Sequence, residues 1–431
     1  MSWSIAFPSR PTASSSCWRN ELSTDPRATT PPINPGGVNW RRNLAALWFA
    51  ELMAIFGFSF AFPFLSIFIH QDLGVASGRD LDLWTAASAS ASGLAMGIAS
   101  PIWGLLGDRY GRKPMLVRSM IGGALTVGLI FFAQNPTELV ILRFLQGATS
   151  GTVAAATSLV AAETPRSRVG WALGVVTSAV ALGGAIGPVV GGLAGALVGL
   201  RLVFLGGGVL LLASLIPVLV IVRESPRVRR PGQRPGVLAL IGQRAGLRRS
   251  LAVLVGAQGL ISVCNSATQQ LVVLRLLEML SSGVAAITGV GFGLAGLASS
   301  AAAVSFTSLA RRLGYVRTTA GAAVLVAVAV VMIGYSPWVA VVVLAVGLNG
   351  LFSGVVIPAT ASMIGLETPP EAQSTVFGIN ASSVSFGFFL GPLIGGGVAA
   401  TAGVPIALVV IAALALALAG LLAAGAREPA R

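Results

Sequence analysis

The sequence predicts an all-α membrane protein, with twelve transmembrane helices in two pseudo-symmetric six-helix bundles. Three observations predict it. Of 431 residues, 55% are hydrophobic and only 10% charged, where a soluble domain carries about 25% charge, and the mean hydropathy is +0.86. A chain this long then has too little polar surface to cover a water-soluble globule, so lipid solvates much of it. Apolar runs of about 20 residues, enough to cross about 30 Å of hydrocarbon, recur from Asn43 onward. Finally, two motifs return at one offset: Gly187-Pro188-Val189-Val190-Gly191-Gly192 as Gly391-Pro392-Leu393-Ile394-Gly395-Gly396, and Glu163-Thr164-Pro165 as Glu367-Thr368-Pro369, with 391 − 187 = 367 − 163 = 204. A duplicated six-helix unit implies two bundles with a cavity between them near mid-bilayer.

Residues 1–40, rich in Ser, Thr, Pro and Arg and without an apolar run of signal-peptide length, read as a disordered cytoplasmic leader. The spans are placed at 44–69, 84–106, 115–134, 137–161, 168–196, 201–222, 251–275, 284–309, 318–335, 338–364, 372–398 and 403–425. The first six make an N-terminal bundle over 41–222 and the second six a C-terminal bundle over 251–425. Between them lies a basic cytoplasmic linker, 223–250, with eight arginines and Pro226, Pro231 and Pro235; residues 426–431 form a cytoplasmic tail.

The net charge of +14 is topological. With both termini cytoplasmic, the cytoplasmic loops hold Arg109, Arg112 and Lys113, then Arg166 and Arg168, the linker arginines, and Arg311, Arg312 and Arg317, while the outward loops hold little beyond Arg79, Arg201 and Arg275. That is the positive-inside pattern of a multi-pass protein of the inner (cytoplasmic) membrane, and it leaves no basic surplus for nucleic acid. The linker arginines suit anionic lipid.

Enzyme chemistry finds no footing. Cys17 and Cys264 are the only cysteines, His70 the only histidine and Lys113 the only lysine. No disulfide framework, HExxH metal site or P-loop can be assembled from them, and no cofactor is expected. His70 caps the outer end of span one and is given no chemistry. Uphill transport would draw on an ion gradient or a separate ATPase subunit.

Two charges lie within spans. Glu51 is the only carboxylate well inside one, and with Ile55, Phe58 and Phe62 at i, i+4, i+7 and i+11 it heads an aromatic stripe. It is the candidate proton-coupling or cation-binding group; a position near cytoplasmic water, nine residues after Arg42, is the competing account. Arg143 sits inside span four, where a cation costs about 2.5–3.5 kcal/mol on insertion scales. Arg143, Gln146 and Ser150 share one face, which favours an inward orientation over snorkelling to the interface.

Span seven carries Gln258, Ser262, Asn265 and Gln269 at helical spacing, and span ten the shorter pair Asn349 and Ser353. Such stripes must find partners away from lipid, either water in a central cavity or neighbouring helices. Span five carries Gly183, Gly187, Gly191, Gly195 and Gly199 at i+4, with Pro188 among them: a face that admits another backbone, bent at the proline.

The loop after span two reads Gly104-Leu105-Leu106-Gly107-Asp108-Arg109-Tyr110-Gly111-Arg112-Lys113. Its glycines allow a tight reversal, its acid can attract a helix N-terminus, and its cations mark the cytoplasmic face. On this pattern the chain, from about Trp40 to Gly425, resembles the major facilitator superfamily. The resemblance implies a conformational latch at Gly104, Asp108, Arg109, Gly111 and Arg112. The second-half copy, ending Arg311-Arg312-Leu313-Gly314, has Arg311 where the acid would be, so the latch is asymmetric. Arg143-Phe144-Leu145-Gln146-Gly147 resembles the motif of proton-coupled members in which this arginine is implicated in proton transfer. Gly183 to Gly192, including Gly187, Pro188 and Gly191, looks like the motif that separates drug:proton antiporters from importers.

Within the superfamily the chain is most similar to bacterial multidrug exporters of the fosfomycin and deoxycholate resistance type, on Asn39 to Pro63 and Arg166 to Gly174. The resemblance implies a proton-coupled exporter of small amphipathic molecules working by alternating access. Its cavity is expected to be lined by Phe58, Phe62, Gln146, Gln258, Ser262, Asn265, Gln269 and Asn349 and to suit neutral or cationic lipophiles. The partners are substrate, protons and lipid, and a monomer is expected. A proton-coupled transporter of one metabolite and a transport-dead sensor are the alternatives.

Overall fold

The computed structural model describes residues 39–165, 168–225, 245–368, 373–426 and 428; the side chains of 108, 245–248, 307, 311 and 373–375 are not among those described. The leader, most of the basic linker, Arg166 and the last residues therefore lie outside the described part. Every regular element in it is helical, and twelve helices are long and apolar enough to cross a membrane. Spans one to six are Trp40–Gln71, Arg79–Gly107, Arg112–Phe132, Pro136–Glu163, Val169–Val198 and Leu200–Val220. Spans seven to twelve are Arg249–Met279, Val284–Phe306, Tyr315–Tyr335, Val339–Glu367, Val376–Ala402 and Val404–Gly425. An even number of spans puts both ends of the described chain on one side, called here the termini face.

Large apolar side chains such as Leu197, Val220 and Val304 stand 85%, 73% and 81% exposed, which only a lipid surround makes tolerable. The buried side is rich in small residues, because helices in lipid hold together by close packing. Three spans depart from a continuous helix. Span one passes through a 3-10 turn at Phe62–Phe64, where Pro63 has no N–H to give. Span three likewise ends in a 3-10 turn, Ile130–Phe132. Span four, read from the sequence as continuous, breaks at Ser150 and Gly151: Ser150 is extended and Gly151 has φ of 124°, a conformation open to glycine at little strain.

Span five is held between span one and span eight. A Cβ on Gly183, Gly187 or Gly191 would strike span one, at Leu52, Ser59 and the Phe60 carbonyl; one on Gly192 would strike Ala285 and Gly289 of span eight. Span eleven repeats this 204 residues on. Gly387, Gly391 and Gly395 press on span seven at Ser262, Ser266 and Ala267, and Gly396 on Ala86 of span two. In each pair the i+4 glycine face packs within a half and the next residue packs across to the other half. The duplicated motif is therefore a duplicated packing device.

The cross-half contacts run from the face opposite the termini to mid-span. They include Gly192 with Ala285, Pro188 with Gly289, Ala185 with Gly296, Gly93 with Phe388, and Gly396 with Ala86. At the termini face the described polar contacts stay within one half. Glu163 accepts from Ser225 N–H at 2.9 Å, and Glu367 from Ser250 Oγ at 2.9 Å. A Cβ added at Gly104, Gly170, Gly174 or Gly378, all toward the termini ends of spans two, five and eleven, would meet nothing within 4 Å. These glycine contacts thus join the halves toward the face opposite the termini, and none of them joins the halves at the termini ends of the spans.

Candidate functional site

The joined region carries a cavity of about 270 Å³ between spans one, five, seven and eight, lined by Phe58, Phe62, Gly184, Pro188, Gln269 and Phe292 among others. Its aromatic wall is built on span one: Phe58 and Phe62 stack with centroids 5.9 Å apart, and Phe62 also meets Phe204 of span six edge-on at 6.4 Å. Phe292 is a lining residue that periodicity in span eight did not single out. The broken helix explains the arrangement. The turn at Phe62–Phe64 directs Phe62 toward span four and carries Phe68 onto Phe204, 5.0 Å between centroids.

Arg143 turns inward. Its guanidinium lies 4.2 Å from the Phe62 ring, its Nε donates to Ser88 O of span two at 3.3 Å, and its Nη1 donates to Gln146 Oε1. One cation thus ties together spans one, two and four. Gln146 is buried and occupied by this contact. Ser88 contributes a carbonyl, which no reading of side chains would reveal.

Glu51 is 0% exposed, so water does not reach it. Neither carboxylate oxygen has a hydrogen-bond partner, and among the described residues no ion pair includes it. Asp82, at the opposite-face end of span two and beside Gly396 of span eleven, is also a buried carboxylate.

The polar stripe of span seven divides. Gln258 accepts from Thr360 Oγ1 and Asn265 accepts from Ser353 Oγ at 2.9 Å, so both serve to bind span ten. Ser262 returns its hydroxyl to Gln258 O and stands against Gly387 of span eleven. Gln269 alone of the four lines the cavity. Asn349 of span ten has a buried, unpartnered Oδ1.

At the termini face Gly111 takes φ of 109° to end the second helix and start the third. Glu224, just past span six, accepts from the amides of Arg112 at 2.9 Å and Lys113 at 2.9 Å. A Cβ on Gly111 would lie 2.9 Å from that carboxylate, and the backbone conformation itself favours glycine there. Arg112 gives Nη1 to Ser158 O of span four at 2.7 Å, and Arg109 lies 5.4 Å from the Tyr110 ring. The Asp108 side chain lies outside those described. Glu224 was not singled out from the sequence, though the 204-residue offset points to it: Glu428 accepts in the same way from the amides of Tyr315 and Val316, beside Gly314.

A sequence model described as the Major Facilitator Superfamily matches residues 47–347 and 260–431. The chain belongs to the major facilitator superfamily. It is 31% identical over 382 residues to the multidrug resistance protein MdtG of Proteus mirabilis (strain HI4320), covering 86% of this chain and 92% of that one. It is 30% identical to MdtG of Dickeya zeae (strain Ech586), covering 85% and 90%. Among solved structures the fold is similar to that of the nucleoside transporter NupG, at 12% identity and a TM-score of 0.72 over 88% of this chain and 99% of that one. It is also similar to a bacterial homologue of the human lysosomal transporter Spinster in an inward-facing, occupied conformation, at 14% identity and a TM-score of 0.71 over 88% and 95%. The protein is a multi-pass membrane transporter rather than an enzyme, and it has the twelve-helix major facilitator architecture.

Proposed function

We propose that this transporter exports amphipathic drugs or similar small molecules across the inner membrane in exchange for protons, working as a monomer by alternating access with both termini in the cytoplasm. The arginine bias supports that orientation, by which the termini face opens to the cytoplasm, the side from which an exporter loads. The observation that carries the reading is that the glycine contacts joining the halves lie toward the face opposite the termini, with an aromatic cavity at their limit. The relatives' name, multidrug resistance protein, supports the class of cargo. Glu51 supports the coupling, because it is a fully buried carboxyl with no hydrogen-bond or ion-pair partner among the described residues. Phe58, Phe62, Phe292 and Gln269 give a mostly apolar cavity wall with one amide, a surface for lipophilic bodies rather than a charge-specific one. Gly104, Gly111, Arg109 and Arg112 serve as the latch, and Arg143 as the group that senses the proton.

The test is transport in everted membrane vesicles. Adding a lipophilic cationic drug to energised vesicles should release protons from the lumen with this protein and not with Glu51→Gln, while purified Glu51→Gln still binds the drug. Proton release unchanged in Glu51→Gln would overturn the assignment of the coupling group; no drug-dependent release in either would overturn exchange.

A further inference from the structure

Away from the transport cavity, a second cavity of about 440 Å³ opens between spans two, three and four toward the termini face. Its walls include Pro101, Trp103, Leu105, Met115 and Ala154, and Arg118 of span three lines it. The Arg118 guanidinium lies over the Trp103 ring at 3.6 Å and gives one nitrogen, Nη2, to Ser150 O at 3.0 Å, the carbonyl freed by the break in span four. Its Nε and Nη1 are buried with no hydrogen-bond partner, and among the described residues no ion pair includes it. The hydroxyls at the cavity, Ser100, Ser150 and Ser158, are spent on carbonyls of their own helices. Nη2 has one hydrogen in each of the two guanidinium forks, Nε/Nη2 and Nη1/Nη2, so its single bond to Ser150 leaves one fork with both N–H groups unspent, the match for an anion with two oxygens on one centre such as phosphate.

Depth and surroundings identify the carrier. Arg118 comes six residues after the start of span three, about 9 Å into the membrane at 1.5 Å per residue, which is the boundary between headgroups and acyl chains. Beside the cavity Ile98, Ile102 and Leu105 of span two are 58%, 53% and 64% exposed and fall on one helical stripe. We propose that this cavity is a phospholipid site, in which Arg118 holds the lipid phosphate and the acyl chain lies along Ile98, Ile102 and Leu105.

The test uses the purified full chain in detergent, titrated with phosphatidylglycerol or with inorganic phosphate. Thermal unfolding and lipid retained in native mass spectrometry are the readouts. Phosphatidylglycerol should raise the melting temperature saturably, inorganic phosphate should not, and the half-saturating lipid concentration should rise about tenfold or more in Arg118→Gln. Because Arg118 also holds Ser150, Ala154→Leu provides a second variant that fills the cavity and leaves the charge; it should lose the lipid equally. Lipid binding unchanged in Ala154→Leu, or a shift saturated by inorganic phosphate in place of lipid, would overturn the proposal.

Discussion

The guanidinium of Arg143 lies 4.2 Å from the ring of Phe62 and so couples the buried cation of span four to the aromatic wall of span one. A cation over an aromatic face contributes about 0.5–2 kcal/mol, more when desolvated. Phe62→Leu should therefore weaken substrate binding and also loosen Arg143. Arg143→Lys keeps the charge but loses the planar fork that spans Ser88 and Gln146 together. We expect export in Arg143→Lys to fall at least as far as in Phe62→Leu, and the double variant to lose less than the sum. Vesicle transport on the four proteins of that cycle measures the coupling.

Glu51 supplies a prediction in which stability and function separate. A buried carboxylate without partners does not stabilise its surroundings. Glu51→Gln keeps the shape and removes the charge, so on the proposed function the melting temperature should not drop while transport coupled to protons is lost. Parallel thermal melts and drug-resistance assays check this, and a large loss of stability would mean that the carboxylate is held by a group that this conformation does not bring to it.

Much of this was legible in the sequence, for a physical reason: a span must be about 20 apolar residues long, and the glycine face at i+4 can serve only close packing. The break in span four was not legible, because Ser150 and Gly151 are both tolerated inside helices, and what frees the Ser150 carbonyl is the distant Arg118 and the backbone at Gly151. Nor could periodicity sort the stripe of span seven. Gln258, Asn265 and Gln269 share a face, yet two of them meet hydroxyls of span ten and the third meets the cavity. A stripe shows that partners exist without showing which ones. Glu224 and Glu428 were within reach, since 428 − 224 equals the repeat offset, but single acids at loop positions carry no signal until the amides they accept from are seen.

At the face opposite the termini, Arg201 donates Nη1 to the carbonyls of Phe131 and Ala133, each at 2.9 Å, and sits 3.4 Å from the Asp72 carboxylate. Burial raises Asp72 above the ordinary carboxylate range, with Arg201 pulling the other way. A carboxyl raised on folding binds its proton more tightly in the folded state, so its contribution to stability falls as pH rises through that window. Asp72→Asn should therefore flatten the pH dependence of unfolding above pH 4 without lowering stability, whereas Arg201→Ala, which strands the carbonyls of Phe131, Ala133 and Asp72, should cost about 1–3 kcal/mol. Melting curves across pH distinguish the two.

The paired caps make an additive prediction. Glu224 and Glu428 each accept from two amides at a helix N-terminus, one in each half. Losing such a cap costs about 0.5–2 kcal/mol. Glu224→Ala and Glu428→Ala should each lower stability by that order, and the double variant by their sum, because the sites share no partner. Denaturation of the four proteins in one detergent gives the comparison.

Gly191 and Gly192 are neighbours in sequence but meet different halves of the molecule. A Cβ on Gly191 would run into the Phe60 carbonyl of span one, within its own half, and one on Gly192 into Ala285 and Gly289 of span eight, across the junction. Backbone atoms cannot step aside as side chains can, so each alanine must move a helix. Under the proposed alternating access a contact within a half is kept throughout the cycle, and Gly191→Ala should simply destabilise, by about 1–3 kcal/mol. Across the junction the contact belongs to the conformation closed at that face, so Gly192→Ala should leave the melting temperature closer to wild type and shift the population toward the conformation parted there. Gly420 of span twelve, where a Cβ meets nothing within 4 Å, supplies the silent control. Spin-label distances between the ends of spans five and eight, read on Gly191→Ala, Gly192→Ala and Gly420→Ala, should lengthen only in the second. Equal distances in all three would mean that the glycine at 192 serves packing alone.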